Sequence, residues 1–193
     1  HTRAVASAAL FLWKGAIRMT ERLNDLILVD CYDCPIGTAG KAEAHAAPLL
    51  HRAFSVFLIN DNGELLLQKR AAGKYHSGGL WANACCSHPR MGEQTVPSAE
   101  ARMTVALGAP CPLREIGSFV YLHRFADHLY EYEFDHVLLG NHNGPFTPDP
   151  GEIAALLWVG PEALEQELRE IPERFAPWFL TAAPMVLRQL AKP

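Results

Sequence analysis

Ala53-Phe54-Ser55-Val56-Phe57-Leu58-Ile59-Asn60 is a β-rich run that meets a turn signal, Asp61-Asn62-Gly63, and is followed by a second β-rich run, Glu64-Leu65-Leu66-Leu67-Gln68. Two such runs around a short Asn/Gly turn predict a β-hairpin. Working outward, Leu26–Val29 is β-rich, and Gly78-Gly79 breaks the chain before a strand over Leu80–Cys86. Ser98 is placed to cap a helix that runs to about Leu107 and stops at Gly108. Ile116–His123 and Leu129–Leu139 read as long strands and Ile153–Val159 as a buried one. Pro161 opens a charged helix over Glu162–Glu170, and a last helix spans Pro177–Leu190 with a bend expected at Pro184. Strands and helices mix without a regular βα alternation, which predicts an α+β layered domain rather than a doubly wound one.

Composition sets the frame. At 193 residues with 49% apolar content, the chain lies near the prior of roughly 150 residues per domain and can bury one sizeable core. A net charge of −4 without a clustered Lys/Arg run gives no electrostatic footprint for nucleic acid or an anionic membrane surface. Five cysteines is an odd number in a chain of this size, which argues against a disulfide framework and for a reducing cytoplasm. The apolar stretch from Ala4 to Trp13 falls well short of the ~20 residues a membrane span needs. Met19-Thr20-Glu21 has the form of a natural start, so residues 1–18 are expected to be an extension or expression remnant and residues 19–193 a single domain. Oligomeric state is not encoded in any motif of the chain.

Chemistry concentrates in two places. Cys85-Cys86-Ser87-His88-Pro89 brings a thiol next to an imidazole, and Glu131-Tyr132-Glu133 puts two carboxylates one residue apart. Alternate residues of a strand share a face, so Glu131 and Glu133 point together and Tyr132 away. By the same rule Cys85 and Cys86 point to opposite sides, which makes Cys85 a small buried residue. Paired carboxylates can hold a metal or transfer protons, but on spacing alone a solvated strand face is the favoured reading. With His45, His51 and His88 they form a potential set of nitrogen and oxygen ligands suited to Mn²⁺, Zn²⁺ or Fe²⁺, with Mg²⁺ also open. Cys31-Tyr32-Asp33-Cys34 has no second pair at zinc-site spacing and reads as incidental, as does Cys111.

Three segments in register carry a specific resemblance. Leu49-Leu50-His51-Arg52-Ala53-Phe54-Ser55-Val56-Phe57-Leu58, then Leu65-Leu66-Leu67-Gln68-Lys69-Arg70, then Trp81-Ala82-Asn83-Ala84-Cys85-Cys86-Ser87-His88-Pro89 resemble type I isopentenyl-diphosphate Δ-isomerase of the Nudix superfamily. The likeness extends from about Leu23 to Trp178, through Pro148–Ile153 and Ala176–Phe179. It implies a Nudix-like layered domain, a mixed β-sheet flanked by helices, and interconversion of isopentenyl and dimethylallyl diphosphate. Position by position, it implies that Cys86 and Glu133 are the acid/base pair, with Tyr121 supporting the glutamate side. His45, His51, His88, Glu131 and Glu133 would hold a divalent metal, Mg²⁺ or Mn²⁺ with Zn²⁺ as a further possibility. Lys41, Arg70, Lys74 and Arg102 would engage the diphosphate of a small prenyl substrate, and Trp178 would stand beside its hydrocarbon end. Read without the resemblance, Arg70 and Lys74 are surface charges, Trp178 is core and Tyr121 packs inward.

The chain departs from the family pattern in Arg102-Met103-Thr104-Val105-Ala106-Leu107-Gly108. The family usually has a glutamate before the Leu-Gly to hold Mg²⁺ against the diphosphate, and here the position is Ala106. The His45 to His51 interval, which contains Pro48, is also shorter than in some relatives. The departure motivates a second reading, an enzyme that keeps the proton-delivering centre but carries out carbocation chemistry, such as cyclisation, on another prenyl diphosphate. A third is a Nudix hydrolase or an inactive binding module. A hydrolase needs clustered carboxylates on the box helix, and Val105-Ala106 supplies none.

Overall fold

Strand alternation along His51–Ile59 sorts its side chains onto two faces, and each face receives its own core. Phe54, Val56 and Leu58 pack with Leu66, Leu138, Met103 and Leu107 on one side. Phe57 packs with Leu67, Val137, Leu139, Phe179 and Val186 on the other. The structure is a computed structural model that describes residues 25–191 apart from Asp127. Among the described residues the elements run β1 (Leu26–Val29), β2 (Pro35–Ala39), α1 (Lys41–Ala46), β3 (His51–Ile59), β4 (Leu65–Arg70), β5 (Trp81–Asn83), β6 (Cys85–Ser87), α2 (Thr95–Leu107), β7 (Leu113–Ala126), β8 (Leu129–Asn141), β9 (Ile153–Val159), α3 (Pro161–Glu170) and α4 (Pro177–Leu190). The strands form one mixed sheet in which β3 pairs in parallel with β8 and the other pairings are antiparallel. Helix α2 supplies the first core and helices α3 and α4 the second. This is the α+β layered arrangement expected from the sequence.

The turn at Asp61–Gly63 forms, but the hairpin it predicts does not continue. Strands β3 and β4 are paired only at Ile59 and Leu65, after which β4 diverges to pair with β5 and β9. The segment expected as one strand, Leu80–Cys86, crosses the resulting gap. Residues Trp81–Asn83 pair with β4, Cys85–Ser87 pair with Phe54–Val56 of β3, and fully buried Ala84 lies between them. Turn chemistry specifies where the chain reverses, not how far two strands stay together. The splay opens the sheet into a crevice.

Helix α2 begins at Thr95, ahead of the expected cap at Ser98. Pro97 falls in the first turn, where a missing N–H costs no internal bond, and the Ser98 hydroxyl donates to Glu93. Gly108 ends the helix in the left-handed conformation (φ 65°), as expected. The last helix also follows the expected range and continues through Pro184. Residues 1–18, expected to be an extension, lie outside the described residues. No helix among the described residues is long and apolar enough to cross a membrane.

The second core is tied together by aromatic stacking, with Phe179 5.7 Å from Phe57 and 5.2 Å from Phe175, centroid to centroid. Replacing a fully buried phenylalanine by alanine costs about 3–5 kcal/mol through lost transfer energy and the cavity left behind. Phe57→Ala should therefore lower the unfolding free energy in urea by that amount, read as a lower midpoint with an unchanged slope. A loss under about 1 kcal/mol would mean that the two helices do not depend on this contact.

Candidate active site

The crevice between β3 and β4 becomes a cavity whose walls come from seven elements and the loop after β4. Lys41 of α1, Ser55 of β3, Arg70 of β4, Cys86 of β6, Arg102 of α2, Glu131 and Glu133 of β8, and Trp178 of α4 all line it. It therefore joins residues far apart in the chain. Cys86 and Glu133 stand in the same cavity.

Four metal-capable side chains meet at one end. His45 comes from α1, His51 from the start of β3, His88 from just after β6 and Glu133 from β8, and one ligand atom from each lies within 4.8 Å of the others. The β3–β8 register puts His51 directly beside Glu133. The Nδ1–H of His51 donates to the carbonyl of Leu49 at 2.8 Å, which turns the Nε2 lone pair toward the cluster. His45 Nδ1 is hydrogen-bonded to the Tyr75 hydroxyl. The Nε2 atoms of both His45 and His51 are buried without a hydrogen-bond partner, that of His51 standing 3.6 Å from Glu133 Oε1. Leaving such a group unsatisfied costs about 1–3 kcal/mol, and two lone pairs beside a carboxylate oxygen are the donor set of a divalent cation.

Electrostatics keeps these groups in the ligating form. Burial above all, with the His88 and His51 rings adding to it, lowers His45 to about 3, and burial outweighs the opposing Glu133 carboxylate to lower His88 to about 4, so both are neutral at pH 7. For Glu133 burial alone would raise the pKa, but the His51 and His88 rings outweigh it and hold the carboxyl well below the usual range. His88 Nε2 is 2.9 Å from Glu133 Oε1. Glu131 lies on the same strand face but outside this group of four. It accepts a hydrogen bond from the Tyr121 hydroxyl and lies 3.0 Å from His76 Nε2.

Cys86 occupies another part of the wall. Its sulfur is 3.1 Å from Asn83 Nδ2 and 3.2 Å from Asn83 Oδ1, and 3.6 Å from the Ser55 hydroxyl, which donates to Asp135 at 2.7 Å. Burial, followed by the charge of Asp135, pushes the Cys86 thiol up. Cys85 packs into the first core and is raised to about 12, chiefly by burial. The two neighbours thus face opposite ways, as strand alternation required.

Four cationic side chains line the cavity. The Arg70 guanidinium is 5.1 Å from the centroid of the Trp178 ring, and burial lowers the pKa of Lys41. Arg102 is ion-paired with Glu152, and Lys74 lies 3.9 Å from the same carboxylate. Ala106, one turn past Arg102, is buried and also reaches the cavity. The remaining acid of α2, Glu100, is committed to the backbone N–H of Leu113 at 2.9 Å. All the expected site residues but His45, His51 and Tyr121 line the cavity itself. These three stand beside it, the two histidines through their cluster with His88 and Glu133 and the tyrosine through Glu131. Tyr75, His76, Ser55, Asn83 and Asp135 had no role in the sequence reading. Only the last lies in a pattern that could have revealed it, the i, i+2 row that begins with Glu131 and Glu133.

Two outcomes are expected from this geometry. Because His45 and His88 have folded pKa values below the ordinary 6.5, the unfolded chain takes up protons first as pH falls. In chelator, stability should hold above pH 6.5 and decline from there toward pH 4, by up to about 1.4 kcal/mol per pH unit for each group. Glu133 adds to the decline below its ordinary value. A urea midpoint that rises between pH 6.5 and 5 would contradict this reading. Addition of Mn²⁺ at about 100 times its Kd should stabilise the protein by about 2.7 kcal/mol. The increment should vanish in His51→Asn; equal stabilisation of both proteins would place the cation elsewhere.

Comparison with known proteins identifies the family. The NUDIX domain family matches residues 49–179. The chain is 43% identical over 164 residues to isopentenyl-diphosphate Delta-isomerase 2 of Aromatoleum aromaticum, covering 85% of this chain and 87% of that one. It is 45% identical over 161 residues to the isopentenyl-diphosphate Delta-isomerase of Burkholderia multivorans, covering 83% and 90%. The crystal structure of DR0079 from Deinococcus radiodurans superposes with a TM-score of 0.69 at 19% identity, over 87% of this chain and 99% of that one, which establishes a shared fold. The protein is a member of the Nudix superfamily and, within it, of the isopentenyl-diphosphate Delta-isomerases.

Proposed function

We propose that this protein is an isomerase that converts isopentenyl diphosphate to dimethylallyl diphosphate, with Cys86 and Glu133 as the groups that exchange protons with the carbon skeleton. The observation that carries this reading is their shared cavity, lined also by four cations and by an indole. Lys41, Arg70, Lys74 and Arg102 match the charge of a diphosphate. Trp178 matches the hydrocarbon.

An unactivated alkene is a very weak base, so the site must lower the energy of the tertiary cation formed when a proton reaches the terminal methylene. One proton enters at that carbon and another leaves the carbon adjacent to the diphosphate-bearing one on the far side of the cation centre, so the C=C bond shifts by one position and no net proton is consumed. After a turnover the acid and base have exchanged protonation states. The indole face attracts a cation by about 0.5–2 kcal/mol, and the Arg70 guanidinium beside it shows that the ring already accepts one. Tyr121 supports the carboxylate side through Glu131. His45, His51, His88 and Glu133 would hold a divalent metal, with three imidazoles favouring Mn²⁺ or Zn²⁺ over Mg²⁺. When bound, it would supply fixed positive charge beside the Glu133 carboxyl. A thiol that has to stay reduced suits a cytoplasmic setting.

The hydrolase alternative lacks support in the cavity. The face of α2 directed there presents Arg102 and Ala106, and Glu100 is engaged by the backbone of Leu113. Incubation with isopentenyl diphosphate and Mg²⁺ plus Mn²⁺ should yield dimethylallyl diphosphate without release of inorganic phosphate. Cys86→Ala and Glu133→Gln should each lose at least about 100-fold in kcat, the range of a proton-transfer group. Cys85→Ala should cost stability and leave turnover near the original value. Equal activity of the two cysteine variants would remove the thiol from the mechanism, and phosphate release from nucleoside diphosphates would favour hydrolysis.

A further inference from the structure

Asn83, at the end of β5, is fully buried and uses both ends of its side-chain amide. Its Nδ2 group donates to the carbonyls of Cys85 at 2.8 Å and Val56 at 3.1 Å. Those two acceptors define which end of the amide is nitrogen, and so direct Oδ1 the other way. Oδ1 receives the indole N–H of Trp178 at 3.0 Å and lies 3.2 Å from the Cys86 sulfur. The indole has one donor, and it is spent here. The same strand anchors the start of α4 a second time, where the N–H of Ala176 donates to the carbonyl of Trp81 at 2.9 Å.

We propose that Asn83 is a positioning residue that locks the Cys86 thiol and the Trp178 indole into one rigid unit, so that the proton-exchanging sulfur and the cation-facing ring keep a fixed separation across the hydrocarbon part of the cavity. The inference rests on the isomerase reading for its consequence but not for its geometry. An amide suits the task because it offers donors and an acceptor within one plane and carries no charge into a buried site. Aspartate would keep the acceptor while leaving two backbone carbonyls unsatisfied, and alanine would release both partners. Lys41, Lys74 and Arg102, three of the four cations proposed for the diphosphate, lie on other elements; the fourth, Arg70, reaches the Trp178 ring from β4.

Asn83→Ala should therefore lower kcat by about 100-fold, the scale of an ångström-sized misplacement, and leave KM for isopentenyl diphosphate essentially unchanged. A proportionate rise in KM, or an unaltered kcat in a folded variant, would overturn the proposal. A second measurement needs neither turnover nor a substitution at the buried amide. In ¹⁵N-labelled protein the Trp178 indole resonance, assigned by its loss in Trp178→Phe, should exchange slowly with solvent and should shift in Cys86→Ala, because thiol and indole share one oxygen. An indole signal that exchanges freely or ignores the loss of the thiol would refute the coupling. If that coupling holds while wild-type protein makes no dimethylallyl diphosphate, the isomerase reading fails and the amide lock stands.

Discussion

Nine consecutive residues of β3 pair in parallel with β8, from His51 against Glu133 to Ile59 against Asn141, and the site depends on this register. A shift by one residue would turn every side chain of the strand to the opposite face. His51 would leave the cluster, Ser55 would leave the sulfur of Cys86, and the two cores would exchange occupants. The register is enforced from both sides, by Phe54, Val56 and Leu58 in one core and by Phe57 in the other. Core packing and site geometry are thus consequences of the same ladder.

The other edge of β3 makes the cavity possible. It is shared among β1, β6 and β4, so no single strand closes it, and the crevice admits side chains from β4, β6, α2 and α4. The cavity is divided by chemistry. Imidazoles and Glu133 collect at one end, while cations from α1, β4, α2 and the loop after β4 line the walls. Trp178 and Cys86 are joined through an amide that carries no charge. Charges crowded into one cavity are tolerable only when compensated: Glu152 is ion-paired with Arg102, and Glu131 is met by the Tyr121 hydroxyl and by His76. Ala106 leaves the α2 wall without a carboxylate, and Glu152 is the acid that lines the cavity next to it.

Much of this was legible where a local period or a single residue type decides the outcome. The opposed orientation of Cys85 and Cys86 and the common face of Glu131 and Glu133 follow from strand alternation alone. Gly108 signals the helix stop because the position requires a positive φ. What escaped depends on separation in space rather than on pattern. The segment Pro35–Ala46 is too short for periodicity to reveal β2 and α1, and the turn at Asp61–Gly63 carries no information on how soon β3 and β4 part. The helix start moved because Pro97 sits comfortably in a first turn. His76 and Asn83 gave no local signal, since one gains meaning only beside Glu131 and the other only beside Cys86 and Trp178. The resemblance to isopentenyl-diphosphate isomerases brought the residues of the cluster together on paper, and the register of β3 with β8 explains why they meet.

A sulfur and a carboxyl that share one cavity and exchange protons with opposite ends of an allylic system leave an isotopic record. Turnover of isopentenyl diphosphate in D₂O, followed by ²H NMR, should put solvent deuterium in the methyl group newly formed from the terminal methylene, with incorporation abolished in both Cys86→Ala and Glu133→Gln. Dimethylallyl diphosphate formed without deuterium in that methyl group, or labelled equally well by either variant, would contradict that chemistry.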